Sequence, residues 1–255
     1  MVICVDIGNS FIKYALLEDG RVMGAVRREA VSSGRQGHSP AFKGLPGKQA
    51  GIRGAIVASV VPRLTPVVER TIHRLTAHRP IIAGVHLKFP FSLGVPRPQS
   101  VGIDRLCCAA GFIDGRRRNA ILIDIGSAIT VDLVANGRYK GGIILAGPDL
   151  ALWALASHTE QLPEIAFSKS RRHSKPKFDT TKGAMALGAE IGATGGILEA
   201  VRFLERKAGR RIPKVLTGGA AEAVSKTLPR SWHHDPHLVL KGLFRLWKLN
   251  SRLAS

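Results

Sequence analysis

Short apolar runs rich in β-branched residues, each stopped by a turn signal, recur along the chain and predict strands. Val2 to Val5 is one such run and ends in Asp-Ile-Gly. Phe11 to Leu17 predicts a second strand, and Asp19-Gly20 a hairpin turn into a third over Arg21 to Val26. The same order returns later. Ala120 to Ile123 again ends in Asp-Ile-Gly, Ala128 to Ala135 follows, and Asn136-Gly137 turns the chain into Arg138 to Leu145. Laid over one another, both units read strand, DIG, strand, [DN]-G-R, strand, with loops that differ by one residue in length. This internal duplication predicts two similar half-molecules whose Asp-Ile-Gly turns face each other across a cleft.

Between and after the two units the pattern alternates. Arg53 to Val61 predicts a strand stopped by Pro62, and Thr65 to Thr76 a helix with Val67, Val68, Ile72 and Leu75 on one face. Ile103 to Ile113 and Lys182 to Lys207 have helical spacing, the second rich in Gly and Ala. Lys214 to Leu216 predicts a strand running into Thr217-Gly218-Gly219, then a helix from Ala220 to Thr227. Strands interleaved with helices indicate an α/β fold. Two stretches, Ser32 to Gly51 and Lys169 to Lys177, read as mobile surface loops: the first is rich in Gly, Ser and Pro, the second carries five Lys/Arg and no acid.

Composition narrows the partners. The 255 residues are 45% hydrophobic and 22% charged, which excludes wholesale disorder and allows one large domain or two small ones. Lys+Arg exceed Asp+Glu by 38 − 18 = +20, a surplus that attracts anions without choosing among phosphate, nucleotide, nucleic acid and acidic lipid. Three cysteines, Cys4, Cys107 and Cys108, form no spaced pairs and read as small buried residues of a reducing cytosol. The N-terminus lacks a basic stretch and meets Asp6 early, against a signal peptide. The most apolar stretch, Gly141 to Ser157, is broken by Pro148 and Asp149, too soon for a membrane span. A cytoplasmic location is expected.

Four constellations could carry chemistry. In Asp6, Gly8, Asn9, Ser10 and Lys13, a strand-end carboxylate can hold hydrated Mg²⁺, Gly admits a phosphate to the backbone, and Lys13 adds a point charge. One such turn alone reads as an ordinary Asx-type hairpin; the second copy reverses that preference. In Asp124, Gly126, Ser127, Thr130 and Asp132, the carboxylate could bind a cation and Ser127 could donate to a terminal phosphate. Thr130 and Asp132 share a strand face, either acting together or lining a solvated surface. Gly102-Ile103-Asp104-Arg105 opens a helix, where an Asp is most often an N-cap. The alternative is a general base beside a guanidinium that fixes an anionic substrate. Thr217-Gly218-Gly219 either lets a flat ring lie on the backbone or only makes a tight turn.

DIGNSFIK, ASVVP, VGIDR, DIGSAITVD, GGIILAGPDL and TGGAA, in this order and spacing, resemble type III pantothenate kinase, a family related to the Bvg accessory factor within the actin-like superfamily. The resemblance runs from Met1 to about Trp247, with HTEQLP, DTTKGAMALG and LKGL in step. It implies two ribonuclease-H-like half-domains flanking a nucleotide cleft, here residues 1–115 and 116–255. It also implies ATP-dependent phosphorylation of pantothenate to 4'-phosphopantothenate, the first step of coenzyme A biosynthesis.

By the same resemblance, Asp6, Ile7, Gly8, Asn9, Ser10, Phe11, Ile12 and Lys13 form the first phosphate loop, with Asp6 holding Mg²⁺ through water. Gly102, Ile103, Asp104 and Arg105 hold pantothenate, Asp104 being the catalytic proton acceptor, and Thr181 touches the same substrate. Asp124 binds a monovalent cation, K⁺ or NH₄⁺, Ser127 contacts ATP, and Gly218 and Gly219 lie near the adenosine. A homodimer is implied, with no specific nucleic-acid partner and no membrane. The chain departs from the family pattern at Ser127 and Ile129, where Thr is usual, and at Ala146, where Pro is usual. The rival from another class is a non-catalytic, transcription-linked accessory protein of the same family; it has the basic charge in its favour but no helix-turn-helix or aromatic-interleaved basic motif.

Overall fold

A computed structural model describes residues 1–31, 42, 45, 51–167 and 178–251. Most of the two stretches read as surface loops, 32–51 and 169–177, lies outside the described residues. The chain divides into two compact units. The first comprises Met1–Arg118, Asn136–Tyr139 and His237–Ser255, the second Asn119–Ala135 and Lys140–Pro236. Relative to the halves 1–115 and 116–255, the difference lies mainly at the C-terminal end, which joins the first unit.

The first unit is built on β1 (Val2–Ile7), β2 (Phe11–Glu18), β3 (Arg21–Ala30), β4 (Gly54–Ser59) and β5 (Ile81–Ile82), in sheet order β3-β2-β1-β4-β5. β1 is antiparallel to β2 and parallel to β4, and all six of its residues are buried. Strands buried on both faces read as continuous apolar runs, which is why VICVDI shows no alternation. On one face Ile3, Val5, Ile7, Ile12, Tyr14 and Val57 pack with Val68 and Ile72 of α1 (Thr65–Thr76). Those two helix positions lie on the stripe that the sequence spacing predicts.

The other face of β1 and β4 meets α6 (Leu238–Asn250), which crosses α2 (Ile103–Phe112) at very short range. A Cβ at Gly242 would stand 2.7 Å from the Cys107 carbonyl carbon and closer to its oxygen. A Cβ at Gly111 would meet the Leu238 backbone in the same way. Paired glycines thus let the two helix backbones touch, and this packing carries the C-terminal helix into the first unit. Arg245 of α6 reinforces it by donating from Nη1 to the carbonyls of Ala110 and Ile113 at the end of α2. Burial pulls the Arg245 pKa down, while Asp114 opposes the shift.

The second unit is built on β7 (Ala120–Ile125), β8 (Ala128–Ala135), β9 (Arg138–Ala146), β10 (Lys214–Thr217) and β11 (His233–His234). Its sheet order, β11-β10-β7-β8-β9, repeats the first, strand for strand; the first two residues of β9, Arg138 and Tyr139, belong to the first unit, where β6 (Ser92–Leu93) pairs with them. β7 is antiparallel to β8 and parallel to β10, as β1 is to β2 and β4. The duplication seen in the sequence is therefore a duplication of strand order and direction.

The long helix α4 (Thr181–Ala208) covers one face with Met185, Ala189, Ala193, Ile197 and Val201, against Ile121, Ile123, Ile125, Ile129 and Val131. By length and composition α4 could cross a membrane, yet these residues form the core of the second unit. It is capped as sequence rules anticipate. Thr180 accepts from the Gly183 N–H at 3.1 Å, and Gly209 ends the helix at φ 68°. α3 (Pro148–Ser157) and the short α5 (Ala221–Ser225) complete the unit. No disulfide joins the three cysteines, all of which are buried.

Candidate active site

Each central strand ends in a carboxylate followed by a tight turn. In the first unit Asp6 lies directly opposite Lys13 and Ile7 opposite Ile12, and the Gly8 N–H donates to the Phe11 carbonyl at 3.0 Å. In the second, Asp124 lies opposite Thr130 and Ile125 opposite Ile129, and the Gly126 N–H donates to the Ala128 carbonyl at 3.0 Å. The two turns close in the same way around loops one residue different in length. Asn9 and Ser10 are exposed at the first turn, Ser127 at the second. That is where backbone and side-chain donors must lie to meet a phosphate.

Asp6 is only 8% exposed. Strand alternation turns it, with Cys4 and Lys13, to the face that meets α6, away from the Ile3, Val5, Ile7 core. Asp104 stands in the first turn of α2. Burial drives the Cys107 thiol pKa well up, and the carboxylates of Asp6 and then Asp104 push it further, with Cys4 adding the least. Asp104 stands three residues before Cys107 on the same helix, while Asp6 comes from β1.

The cap expected of Asp104 falls elsewhere: Gly102 is the N-cap of α2, without a side-chain capping bond. Asp104 Oδ1 instead accepts from the Arg105 N–H at 2.9 Å. A carboxylate in this position is favoured by the unpaired N–H groups and the positive end of the helix. Arg105 is half-buried beside it, and Ile103 is buried beneath.

In the second unit the row across the sheet is Thr217, Asp124 and Thr130, contributed by β10, β7 and β8. Two hydroxyl-bearing side chains thus flank the half-buried Asp124. The sequence offers Thr217 only as part of the Thr-Gly-Gly turn; its place beside Asp124 has no local signal, because a residue just before a Gly-Gly turn gives no sign of which strand its own strand joins. Asp132, weighed as a solvated hairpin position, is only 1% exposed. A Cβ at Gly142 of β9 would stand 2.5 Å from Asp132 Oδ1, so only glycine there leaves the carboxylate its space. Ile129 is fully buried in the core beneath α4. Its departure from Thr falls on the face away from Asp124 and Thr130, and costs that side no polar group.

Two further glycines hold the second turn. Gly218 has φ 103°, a Cβ there would stand 2.5 Å from both Ile125 N and O, and Asp124 Oδ1 is nearer still. The Ala220 N–H donates to the Ile125 carbonyl at 3.0 Å, fastening TGG to DIG. Gly219 is exposed next to it. Gly147 lies under the turn, its N–H donating to the Ser127 carbonyl at 2.9 Å, and a Cβ there would stand 2.6 Å from that oxygen. Its signal was present in GGIILAGPDL, but the contact is through space. Ala146 is an exposed end of β9, and the turn follows it with Gly147 and Pro148. Thr181 is the exposed first residue of α4.

Among the described residues no group of three or more His, Cys, Asp or Glu is arranged to hold a metal ion. Neither Asp6 nor Asp124 belongs to a protein-only cage. Single carboxylates of this kind fit hard cations that complete their shell with water, phosphate or hydroxyl oxygens, and at Asp124 the flanking threonines offer two hydroxyls.

Residues 2–202 match the family model of type III pantothenate kinase. The chain belongs to that family. It is 31% identical over 263 residues to a type III pantothenate kinase of Hyphomonas neptunium, covering 98% of this chain and 100% of the relative. The corresponding enzyme of Maricaulis maris is 30% identical, with 98% of each chain covered. Among solved structures, a Campylobacter jejuni protein described as of the Baf family of transcriptional activators superposes with TM-score 0.60 at 19% identity, covering 98% and 99% of the two chains. Component A of the (R)-2-hydroxyglutaryl-CoA dehydratase of Acidaminococcus fermentans does so with TM-score 0.55 at 14% identity, over 100% and 99%. These likenesses carry the fold, α/β of the actin-like class.

Proposed function

We propose that this chain transfers the terminal phosphoryl group of ATP to the primary alcohol of pantothenate, giving 4'-phosphopantothenate and ADP. The observation that supports the reading is the strand-end carboxylate and tight turn made twice, at Asp6 with Lys13 opposite and at Asp124 with Thr130 opposite, with Asp104 in the first turn of α2. A phosphate-side carboxylate and a base for the alcohol are thereby held within one unit, on a strand and a helix rather than on free loops. Membership of the pantothenate kinase family supplies the substrate.

In the proposed step the alcohol oxygen attacks the γ-phosphorus while its proton passes to the Asp104 carboxylate. The bond from the γ-phosphorus to the bridging oxygen breaks, and its electron pair leaves on ADP. Little covalent work falls to the protein in phosphoryl transfer, so positioning and charge neutralisation carry the catalysis. Lys13 and the backbone of Gly8 to Ser10 hold phosphate oxygens, and Ser127 adds a hydroxyl. Arg105, Gly102, Ile103 and Thr181 bind pantothenate, the guanidinium matching its carboxylate. Gly218 and Gly219 lie near the adenosine. Asp6 would hold Mg²⁺ through water, and Asp124 with Thr130 and Thr217 a K⁺ or NH₄⁺; bound, these ions supply further positive charge.

A cytoplasmic homodimer completes the reading. Ile144 of β9, Leu150, Trp153 and Leu155 of α3 and Ile191 of α4 are 40–67% exposed, an apolar set that a second copy would cover. The accessory-protein alternative is not favoured, since every carboxylate the kinase chemistry requires is present. A coupled ADP-release assay tests the proposal, with and without pantothenate and with K⁺ exchanged for Na⁺. ADP release that depends on pantothenate is expected. Release that ignores pantothenate overturns the substrate, and an inert protein overturns the kinase reading.

A further inference from the structure

We propose that Arg28 of β3 is a second cationic contact for the terminal phosphates of the nucleotide, aimed by the ring of Phe11. The inference rests on reading Asp6 to Lys13 as a phosphate loop and adds a residue from outside it. β2 pairs with β1 so that Lys13 lies opposite Asp6, and with β3 so that Arg28 lies opposite Lys13. Directly opposite residues of antiparallel strands share a face, with Cβ atoms about 4.5–5.5 Å apart. A carboxylate, an ammonium and a guanidinium therefore stand in one row across three strands, beside the Gly8–Ser10 turn.

Two cations placed directly opposite each other disfavour the sheet. Asp6 lies opposite Lys13 on the side away from Arg28, so in this row the guanidinium faces only the ammonium. Glu29 turns to the opposite face, where its Oε1 accepts from the Tyr14 hydroxyl at 2.7 Å. An anion that bridges Lys13 and Arg28 would relieve the repulsion, and a triphosphate in the adjacent turn is such an anion.

The guanidinium is also displaced along the strand in the required direction. Its central carbon lies 3.5 Å from the centroid of the Phe11 ring. Phe11 is two residues nearer the turn than Lys13 and lies on the same face. A guanidinium stacked on a ring keeps its in-plane N–H donors available, in the fork that suits two phosphate oxygens. The end of β3 is fastened to the turn itself, because the Val31 N–H donates to the Ser10 carbonyl at 3.0 Å. Arg28 is exposed, so its replacement leaves the core intact.

Calorimetric titration of the full chain with ATP, ADP and adenosine tests the proposal, alongside steady-state kinetics. Arg28→Gln should weaken ATP and ADP roughly tenfold or more, as loss of a charge-assisted hydrogen bond does, and leave adenosine unchanged. KM for ATP should rise with KM for pantothenate unmoved, and Arg28→Lys should recover part of the loss. Phe11→Leu should give a smaller loss selective for ATP, and Phe11→Tyr should restore it. ATP affinity unchanged in Arg28→Gln but lost in Lys13→Gln overturns the role of Arg28 and leaves the loop standing. An equal loss for ATP and adenosine also overturns it, as a general structural effect. Failure of Lys13→Gln to affect ATP binding overturns the phosphate-loop reading first, and this inference with it.

Discussion

Asp104 folds its carboxylate back over Gly102: a Cβ added to Gly102 would stand 2.5 Å from Asp104 Oδ1. Gly102 sits at φ −54° and ψ 130°, which any residue can adopt, so its backbone does not require glycine. The space it leaves is what matters, because it lets the acid lie down along the first turn of α2.

Gly102→Ala is therefore expected to fold normally while displacing the Asp104 carboxylate. Misplacing a reacting group by about 1 Å costs up to roughly 10²-fold in rate, so kcat should fall by one to two orders of magnitude. Thermal melting should stay within about 2 °C of the parent, since an alanine clash with the far end of one side chain is readily relieved. A large loss of melting temperature would show that the glycine serves the fold instead.

Asp104→Asn separates base from local acceptor. Asparagine keeps an oxygen for the Arg105 N–H, so stability and ATP binding should be nearly unchanged. Asparagine cannot take the alcohol proton, and the loss of general-base help should lower turnover roughly 10²–10⁴-fold. Near-normal turnover in the coupled assay would leave Asp104 as a structural residue only.

Gly218→Ala should act on the second unit through both backbone and carboxylate. The positive φ of 103° is costly for alanine, and the added methyl would meet Ile125 and Asp124. A loss of about 1–3 kcal/mol is expected, read as a lower midpoint in urea. Gly188→Ala is the control: nothing lies within 4 Å of its Cβ position in α4, so it should be neutral or stabilise by up to about 1 kcal/mol.

The cation proposed for Asp124 predicts a salt-specific rate. Turnover should rise when Na⁺ is replaced by K⁺ or NH₄⁺ at constant ionic strength. Thr130→Val, which removes one hydroxyl beside Asp124, should weaken that response more than it weakens turnover in Na⁺. Equal rates in all three salts would remove this role.

Acid stability should depend on the turn after α2. Burial tends to raise the Asp114 pKa, but the Arg117 N–H and guanidinium and the Arg116 N–H outweigh it and hold the carboxyl down at about 2. Its Oδ2 accepts from Arg117 Nε at 2.9 Å and Nη2 at 2.6 Å. A folded-state pKa below the unfolded value of about 3.9 means a contribution that is present above that value and lost as pH falls towards about 2. Urea midpoints of the parent and Asp114→Asn should therefore differ at pH 5 and converge across that window. A constant difference would show that proton uptake at Asp114 is not involved.

Much of this protein is determined by its sequence alone. A central strand buried on both faces needs an unbroken apolar run, and a hairpin needs Asp-Gly or Asn-Gly at a fixed offset, so VICVDIG and AILIDIG announce the duplicated unit locally. The stripe of α1 and the bounds of α4 were legible for the same reason: helix period and caps are short-range signals. What the tertiary structure decided are contacts between residues far apart in the chain. It laid β1, with Asp6 at its end, against α6, set Thr217 beside Asp124, and turned Ile129 into the core. It also buried Asp132 under Gly142 and carried α6 back to α2 through Gly242. No local pattern encodes these, because strand order and the close approach of two backbones depend on which surfaces meet once the chain has folded.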